Sequence, residues 1–184
     1  MLKSSVHQAH DLPAPRRFMA KIKTARGFRF VKELGGAIRH DEVSFAARWL
    51  VDNHRIQGRV LDYGCGHGFD ADHFGWCGYD PYYRQQSPGG TFDTVVCNHV
   101  LNMLTRRART EAIDKIQNLL ADDGVAWLAV PRNIPKTGKL GTRKRIQNYV
   151  VLDLLSCFSD AMLEIYRMTK ETFDDYTQEI ELRL

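Results

Sequence analysis

At 184 residues, 43% of them apolar and 26% charged, the chain has the size and balance of one globular domain with a full hydrophobic core. No apolar run reaches bilayer-spanning length and the polar stretch Met1 to Pro15 lacks the apolar centre of a signal peptide, so the expectation is a cytoplasmic protein with no membrane role. The net charge of +4 is uneven: residues 1–39 carry nine Lys/Arg against two acids, residues 131–148 carry six and no acid, and the last fourteen residues are acidic. Cys65, Cys77, Cys97 and Cys157 form no CxxC pair, which argues against both a zinc site and a disulfide framework.

Residues 1 to about 15 lack periodicity and read as a leader. Residues 16–39 are basic with interspersed aromatics up to Gly35-Gly36, and suit either a short helix and hairpin or a lid. Asp41 then offers an N-cap, and Val43, Ala46, Ala47, Leu50 and Val51 form the stripe of a one-sided helix. Gly58 ends that segment. A first buried strand, Arg59 to Tyr63, runs directly into Gly64, Gly66 and Gly68 at alternate positions. Glycine there lets backbone approach a ligand or adopt positive φ.

Phe69 to Phe74 has room for a short helix only, and Trp76 to Tyr79 reads as a second strand ending at Asp80-Pro81. After a polar loop, residues 91–98 read as a third, buried strand, with a helical turn from Val100 to Leu104. A helix is predicted over 106–121 from the stripe Ala112, Ile113, Ile116, Leu119 and Leu120, closed by Asp122-Asp123-Gly124 as a glycine cap. Val125 to Val130 is the next strand, and 132–148 a basic loop. Tyr149–Leu155 and Met162–Met168 read as an antiparallel hairpin turned at Ser156–Ala161. The tail fits a helix (Phe173, Tyr176, Ile180, Leu184) or a strand (Ile180, Leu182, Leu184) equally well.

Strands alternating with helices, followed by a terminal hairpin, predict an α/β protein with a mostly parallel sheet. Ligands of such sheets bind beyond the carboxyl ends of the strands. Asp62 with its glycines, Asp80, Asn98-His99 and Pro131-Arg132 all fall at such ends. A dinucleotide loop would read G-x-G-x-x-G, whereas the spacing here is G-x-G-x-G, which disfavours a nicotinamide-dependent oxidoreductase. An acid after the second strand suits ribose hydroxyls, since a carboxylate accepts from both.

The stretch Val60-Leu-Asp-Tyr-Gly-Cys-Gly-His-Gly68 resembles the first motif of the class I S-adenosylmethionine-dependent methyltransferases, and Asp80 matches their ribose-binding acid. Residues 92–101 are similar to their fourth-strand motif, residues 119–130 to their leucine-rich turn and fifth strand, and the terminal hairpin to their reversed last strand. The resemblance spans about Asp41 to Met168 and implies a Rossmann-like sheet with an antiparallel terminal strand. Only about ten residues separate Tyr82 from Phe92, so one edge strand is expected to be missing. The implied organisation is a basic leader in the position of a lid (1–40), the S-adenosylmethionine-binding domain (41–168) and an acidic tail (169–184).

The resemblance assigns Asp62, Tyr63, Gly64, Cys65, Gly66, His67 and Gly68 to the methionine portion of the cofactor. Asp80, Pro81 and Tyr82 fall to its ribose and adenine, and Asn98, His99 and Val100 to the sulfonium side. Tyr82 or Tyr83 could stack on the base. His99, with Asn98, is the candidate for catalysis, as a base. Asp80-Pro-Tyr-Tyr83 looks like the signature of amino-methyltransferases, but it follows the second strand rather than the fourth. Cys97 lacks the flanking proline of cytosine-C5 enzymes. The basic segments 16–32 and 132–145, with Phe18, Phe28 and Phe30, suit a nucleic-acid acceptor. A small-molecule acceptor and an inactive cofactor-binding module are the competing expectations.

Overall fold

The computed structural model describes residues 19–24, 27–32, 37–141 and 145–171, the first two segments by their backbone pairing. The chain divides into two compact units, Met1–Gly35 and Gly36–Leu184. In the first unit, β1 (Met19–Thr24) and β2 (Gly27–Lys32) form an antiparallel ribbon in which Thr24 pairs with Gly27. The hairpin expected within residues 16–39 is present over 19–32, while residues 16–18 and 33–36 lie outside the described residues. Met1 to Pro15 and the tail positions Phe173 to Leu184 lie outside the described residues.

The second unit is built on a six-stranded sheet. Its members are β3 (Val60–Tyr63), β4 (Cys77–Tyr79), β5 (Phe92–Asn98), β6 (Leu120–Pro131), β9 (Leu155–Ser159) and β10 (Leu163–Met168), in the order β4-β3-β5-β6-β10-β9. β4, β3, β5 and β6 are mutually parallel, and β10 is antiparallel to both β6 and β9. This is the predicted sheet, with one reversed strand and no strand outside β4 among the described residues. Register brings the strand ends level: Tyr63 pairs with Tyr79, Asp62 with Val96, and Asn98 with Ala129. Asp62, Asp80, Asn98 and Pro131 therefore share one rim.

Both faces of the parallel strands are buried, which is why they read as nearly continuous apolar runs. Leu61, Val95, Cys97, Ala126, Leu128 and Val130 pack on one face beneath α3 (Arg106–Leu119), which contributes Ala112, Ile113 and Ile116. Val96, Trp127 and Ala129 point the other way, against Ala46 and Leu50 of α1 (Phe45–Asp52). The period of two along β5 and β6 thus splits each strand between two cores. The short α2 (Phe69–Phe74) joins β3 to β4, and a turn of 3-10 helix, Leu101–Met103, follows β5.

Four local expectations are corrected. The cap of α1 is Ser44, whose Oγ accepts from Ala47 N at 3.2 Å, while Asp41 is exposed ahead of the helix. α3 ends at Leu119 and passes straight into β6, so Gly124 is no left-handed cap. Instead residues 121–124 bulge between the pairs Phe92–Leu120 and Thr94–Val125, and a Cβ on Gly124 would lie 2.8 Å from the Phe92 carbonyl oxygen. The terminal hairpin is shifted: β9 begins at Leu155 and the turn is at Asp160, whose Oδ1 accepts from Met162 N and Leu163 N, both at 2.7 Å. The run Tyr149–Leu154 is coil that fills the core through Val150. Finally, the basic loop contains a small ribbon, β7 (Lys139–Leu140) with β8 (Ile146–Gln147).

Candidate active site

The glycine loop is fastened to β4 by its backbone: Gly64 N and Cys65 N both donate to the Tyr79 carbonyl, at 2.7 and 3.0 Å. Gly64, Gly66 and Gly68 all have positive φ, at 79°, 56° and 85°. An L side chain there is strained. The space a Cβ would need is also filled, by Val100 Cγ2 at 2.4 Å, Ala37 Cβ at 2.5 Å and Arg84 Cζ at 2.1 Å respectively. Gly64 and Gly66 are therefore required twice over, by φ and by a neighbour from elsewhere in the chain, and Gly68 by its φ, since the long Arg84 side chain beside it can shift.

Asp80 lies 7% exposed at the end of β4. Its Oδ2 accepts from Gly66 N at 3.1 Å, and its Oδ1 accepts from Tyr82 N at 2.8 Å and Tyr83 N at 3.1 Å. An ionised carboxylate has about four acceptor positions, so three backbone donors leave one at the rim. The turn is closed by reciprocal backbone bonds between Asp80 and Arg84, both 3.0 Å. Pro81 sits inside this turn, the Tyr83 ring lies 4.1 Å from the His67 ring, and Tyr82 is 44% exposed. Of the two tyrosines, Tyr83 is thus engaged on the loop and Tyr82 faces outward.

Asp62 is the opposite case. It is 4% exposed, and its carboxylate receives no hydrogen bond from any described residue. Burial chiefly, reinforced by Asp70 and Asp80 against the opposing charge of Arg84, pushes it up to about 8. Beside it is a cavity of about 60 Å³ lined by Ile38, His40, Ser44, His67, Phe69 and Asp70 among others. Asp70 Oδ1 accepts from Ser44 N at 2.9 Å. Across the cleft, Asn98 Nδ2 donates to Ser44 Oγ at 3.4 Å, and Asn98 Oδ1 is buried with no partner. His99 takes a left-handed φ of 56° as its N–H reaches the Ala129 carbonyl at 2.9 Å.

A family profile described as a methyltransferase domain matches residues 15–161. The chain belongs to the methyltransferase-domain family. No curated protein matches its sequence. Among solved structures it is similar to the DhpI–SAH complex, at 12% identity over 66% of this chain and 81% of that one, with a TM-score of 0.50. It is also similar to the Burkholderia thailandensis 1,6-didemethyltoxoflavin-N1-methyltransferase, at 16% identity over 67% and 76% with a TM-score of 0.48. A third similar structure, the magnesium protoporphyrin IX methyltransferase of Synechocystis PCC 6803, gives 17% identity over 66% and 74% with a TM-score of 0.42. The fold is the Rossmann-like fold of the class I methyltransferases, with its sheet shortened at β4.

In this methyltransferase domain the chemistry of the rim follows from burial. Burial raises the Cys65 thiol to about 12 and raises Cys97 further, so both stay protonated and unreactive at neutral pH. Desolvation, with His40 nearby, holds His99 below the usual imidazole value although the residue is exposed, which favours the neutral imidazole at pH 7. A buried carboxylate without a donor is costly unless a cation or donor reaches it. Asp62 therefore fits an ammonium group, and the rim as a whole fits a zwitterionic, nucleoside-bearing ligand.

The structure brings the predicted Asp62, glycines, Asp80, Asn98 and His99 to neighbouring strand ends and buries the Tyr63 side chain in the core beside Tyr79, while Ala37, Ser44, Asp70 and Arg84 were not among the predicted residues. Ser44 and Asp70 carried a signal, as a capping residue and as an acid in a first helical turn. Ala37 and Arg84 carried none, because only the folded loops bring them to the glycines. Arg132, by contrast, was expected to add to a basic surface. It is an internal clamp: it is ion-paired to Glu164, and donates to Val150 O at 2.7 Å and to Tyr166 Oη at 2.6 Å.

Proposed function

We propose that this domain transfers the methyl group of S-adenosylmethionine to an acceptor bound at the rim beside Asn98 and His99. The observation that carries this reading is Asp62, a buried carboxylate with no hydrogen-bond donor, set between a glycine loop and a second acid at the end of the next strand. Asp62 receives the ammonium group, and the backbone from Tyr63 to Gly68 lies along the methionine portion. Asp80 offers its remaining acceptor position to a ribose hydroxyl, and Pro81 and Tyr82 border the base. Val100 backs the loop at Gly64.

Bound S-adenosylmethionine supplies an activated methyl group, whose bond to sulfur breaks as the acceptor's lone pair attacks in line. The protein's part is alignment, exclusion of water and, for a protonated acceptor, removal of a proton. His99 takes that proton as a neutral imidazole, and the orphaned Oδ1 of Asn98 orients a donor on the acceptor.

The cavity of about 60 Å³ is far below the roughly 300 Å³ of a small-ligand site. Ile38, His40 and Ser44 border that cavity and Ala37 lies against Gly66, so room for the whole ligand has to open on this side. Calorimetry with S-adenosylmethionine and S-adenosylhomocysteine tests the reading, which expects binding at pH 8 that Asp62→Asn weakens by about a hundredfold. No binding to the wild type, or full binding to the variant, would sink it.

For the acceptor, a small molecule is the reading favoured here. Arg132 is consumed internally, which removes one cation from the basic segment 132–145 proposed for nucleic acid. Oligonucleotide binding that falls steeply with added salt would instead favour the nucleic-acid acceptor.

A further inference from the structure

We propose that Arg84 is a positioning residue that clamps the glycine loop into its ligand-receiving form. The proposal rests on the methyltransferase reading for its consequence, but its geometry stands apart from it. Arg84 closes the turn that begins at Asp80, where two reciprocal backbone bonds of 3.0 Å fix its Cα. From there its Nη2 donates to the His67 carbonyl at 3.1 Å and to the Asp72 carboxylate, joining the glycine loop to α2. Its guanidinium occupies the space that a Gly68 side chain would take, with Cζ and Nε 2.1 and 2.2 Å from the ideal Cβ position. Its Nη1 lies 3.2 Å from the equivalent position on Gly78 in β4. One planar group thus touches the loop, the following helix and the edge strand.

This arrangement gives Gly68 a second role. Besides reaching a φ of 85°, it leaves the bay in which Arg84 lies. β4 holds the start of the loop through Gly64 N and Cys65 N, and the turn 80–84 folds back to add a side chain at its far end, Gly68. Both hydrogen bonds leave Nη2, while Cζ and Nε fill the bay at Gly68 and Nη1 approaches β4; a lysine would carry the charge without this planar spread.

The clamp has an electrostatic consequence. The groups facing Asp62 are Cys65 in its own loop, Cys97 on β5, Asp70 on α2, Asp80 at the end of β4, and Arg84. Arg84 is the one cation among them, and it opposes the burial that keeps Asp62 protonated. Losing Arg84 therefore frees the loop and moves the ionisation of Asp62 to higher pH. Both changes weaken the site's hold on a cationic ligand end.

The test uses the full chain with Arg84→Met, Arg84→Lys and Asp72→Asn. Hydrogen exchange of amides 64–72 without ligand reports the clamp, and binding of S-adenosylhomocysteine from pH 6 to 9 reports the charge. Arg84→Met is expected to speed loop exchange about tenfold or more and to move the binding curve to higher pH. Arg84→Lys is expected to restore the position of the curve but not the protection. Asp72→Asn should show the same exchange effect, weaker, and it decides the matter if Arg84→Met does not fold. Unchanged exchange and an unmoved curve in a folded Arg84→Met overturn the proposal. Failure of the wild type to bind S-adenosylhomocysteine overturns the methyltransferase reading instead, leaving the clamp to be judged by exchange alone.

Discussion

Asp62 and Asp80 are both buried carboxylates at the ends of adjacent parallel strands, yet the protein treats them in opposite ways. Asp80 accepts three backbone N–H groups and so builds the turn and the loop around it. Asp62 accepts none and is pushed up to about 8 by burial and by its acidic neighbours. A carboxylate tied by backbone donors is part of the architecture, whereas one left without them at the edge of a cavity is free to meet a ligand. The contrast separates what holds the rim together from what the rim is for.

Removing Asp80 breaks the architectural half and gives the largest effect. Asp80→Ala deletes three charge-assisted bonds, so a loss of about 3 kcal/mol in unfolding free energy is expected, with ligand binding lost as the loop opens. Urea denaturation checks it. A change within experimental error would mean that Asp80 is not structural.

Asp62→Asn should do the reverse for stability. Between the ordinary carboxylate value of 3.8 and about 8 the folded state holds this proton while the unfolded chain has released it. Its contribution to stability therefore declines as pH rises through that window, by on the order of 1 kcal/mol per unit, and levels off above. The asparagine variant removes this slope, so it should gain in Tm over the wild type at pH 8 and little at pH 4. It should also lose ligand affinity by about a hundredfold, since a buried ammonium would lack its counter-charge. A variant less stable than wild type at pH 8 would contradict the account.

The same proton makes binding pH-dependent. A cationic ligand end needs ionised Asp62, so affinity should rise by up to about tenfold per unit from pH 6 and flatten near the value of about 8. Calorimetry in buffers of differing ionisation enthalpy should show a proton released at pH 7, and no release with Asp62→Asn.

The smallest structural effect is expected at Asn98. Among the described residues its side chain makes a single long bond, 3.4 Å to Ser44, and its Oδ1 has no partner. Asn98→Ala should change stability by less than about 1 kcal/mol while lowering turnover more than tenfold, because the lost group serves the acceptor. Equal turnover in the variant would remove Asn98 from the reaction.

Much of this site was legible before folding. Glycines at 64, 66 and 68, an acid after each of the first two strands and a polar pair after the third are local signals, since each depends on a strand end and its immediate neighbours. The short spacing between Tyr82 and Phe92 likewise announced a missing edge strand. Gly124 shows where local signals fail. It sits after a helix as a cap would, but a backbone carbonyl from β5 occupies the space beside it and makes it a bulge residue. Asp160 fails in the same way: the turn chemistry was present, but strand pairing chose its register.

The sequence by itself therefore determined the sheet, its order of elements and the residues that meet at one rim, because hydrophobic period and glycine placement act over a few residues. The tertiary structure alone decided what each rim residue has as a partner. It gave three donors to Asp80 and none to Asp62, laid Arg84 into the bay at Gly68, and turned Arg132 inward to Glu164. Those outcomes depend on contacts between segments far apart in the chain. No local pattern records them, because hydrogen bonds and burial are properties of neighbours in space.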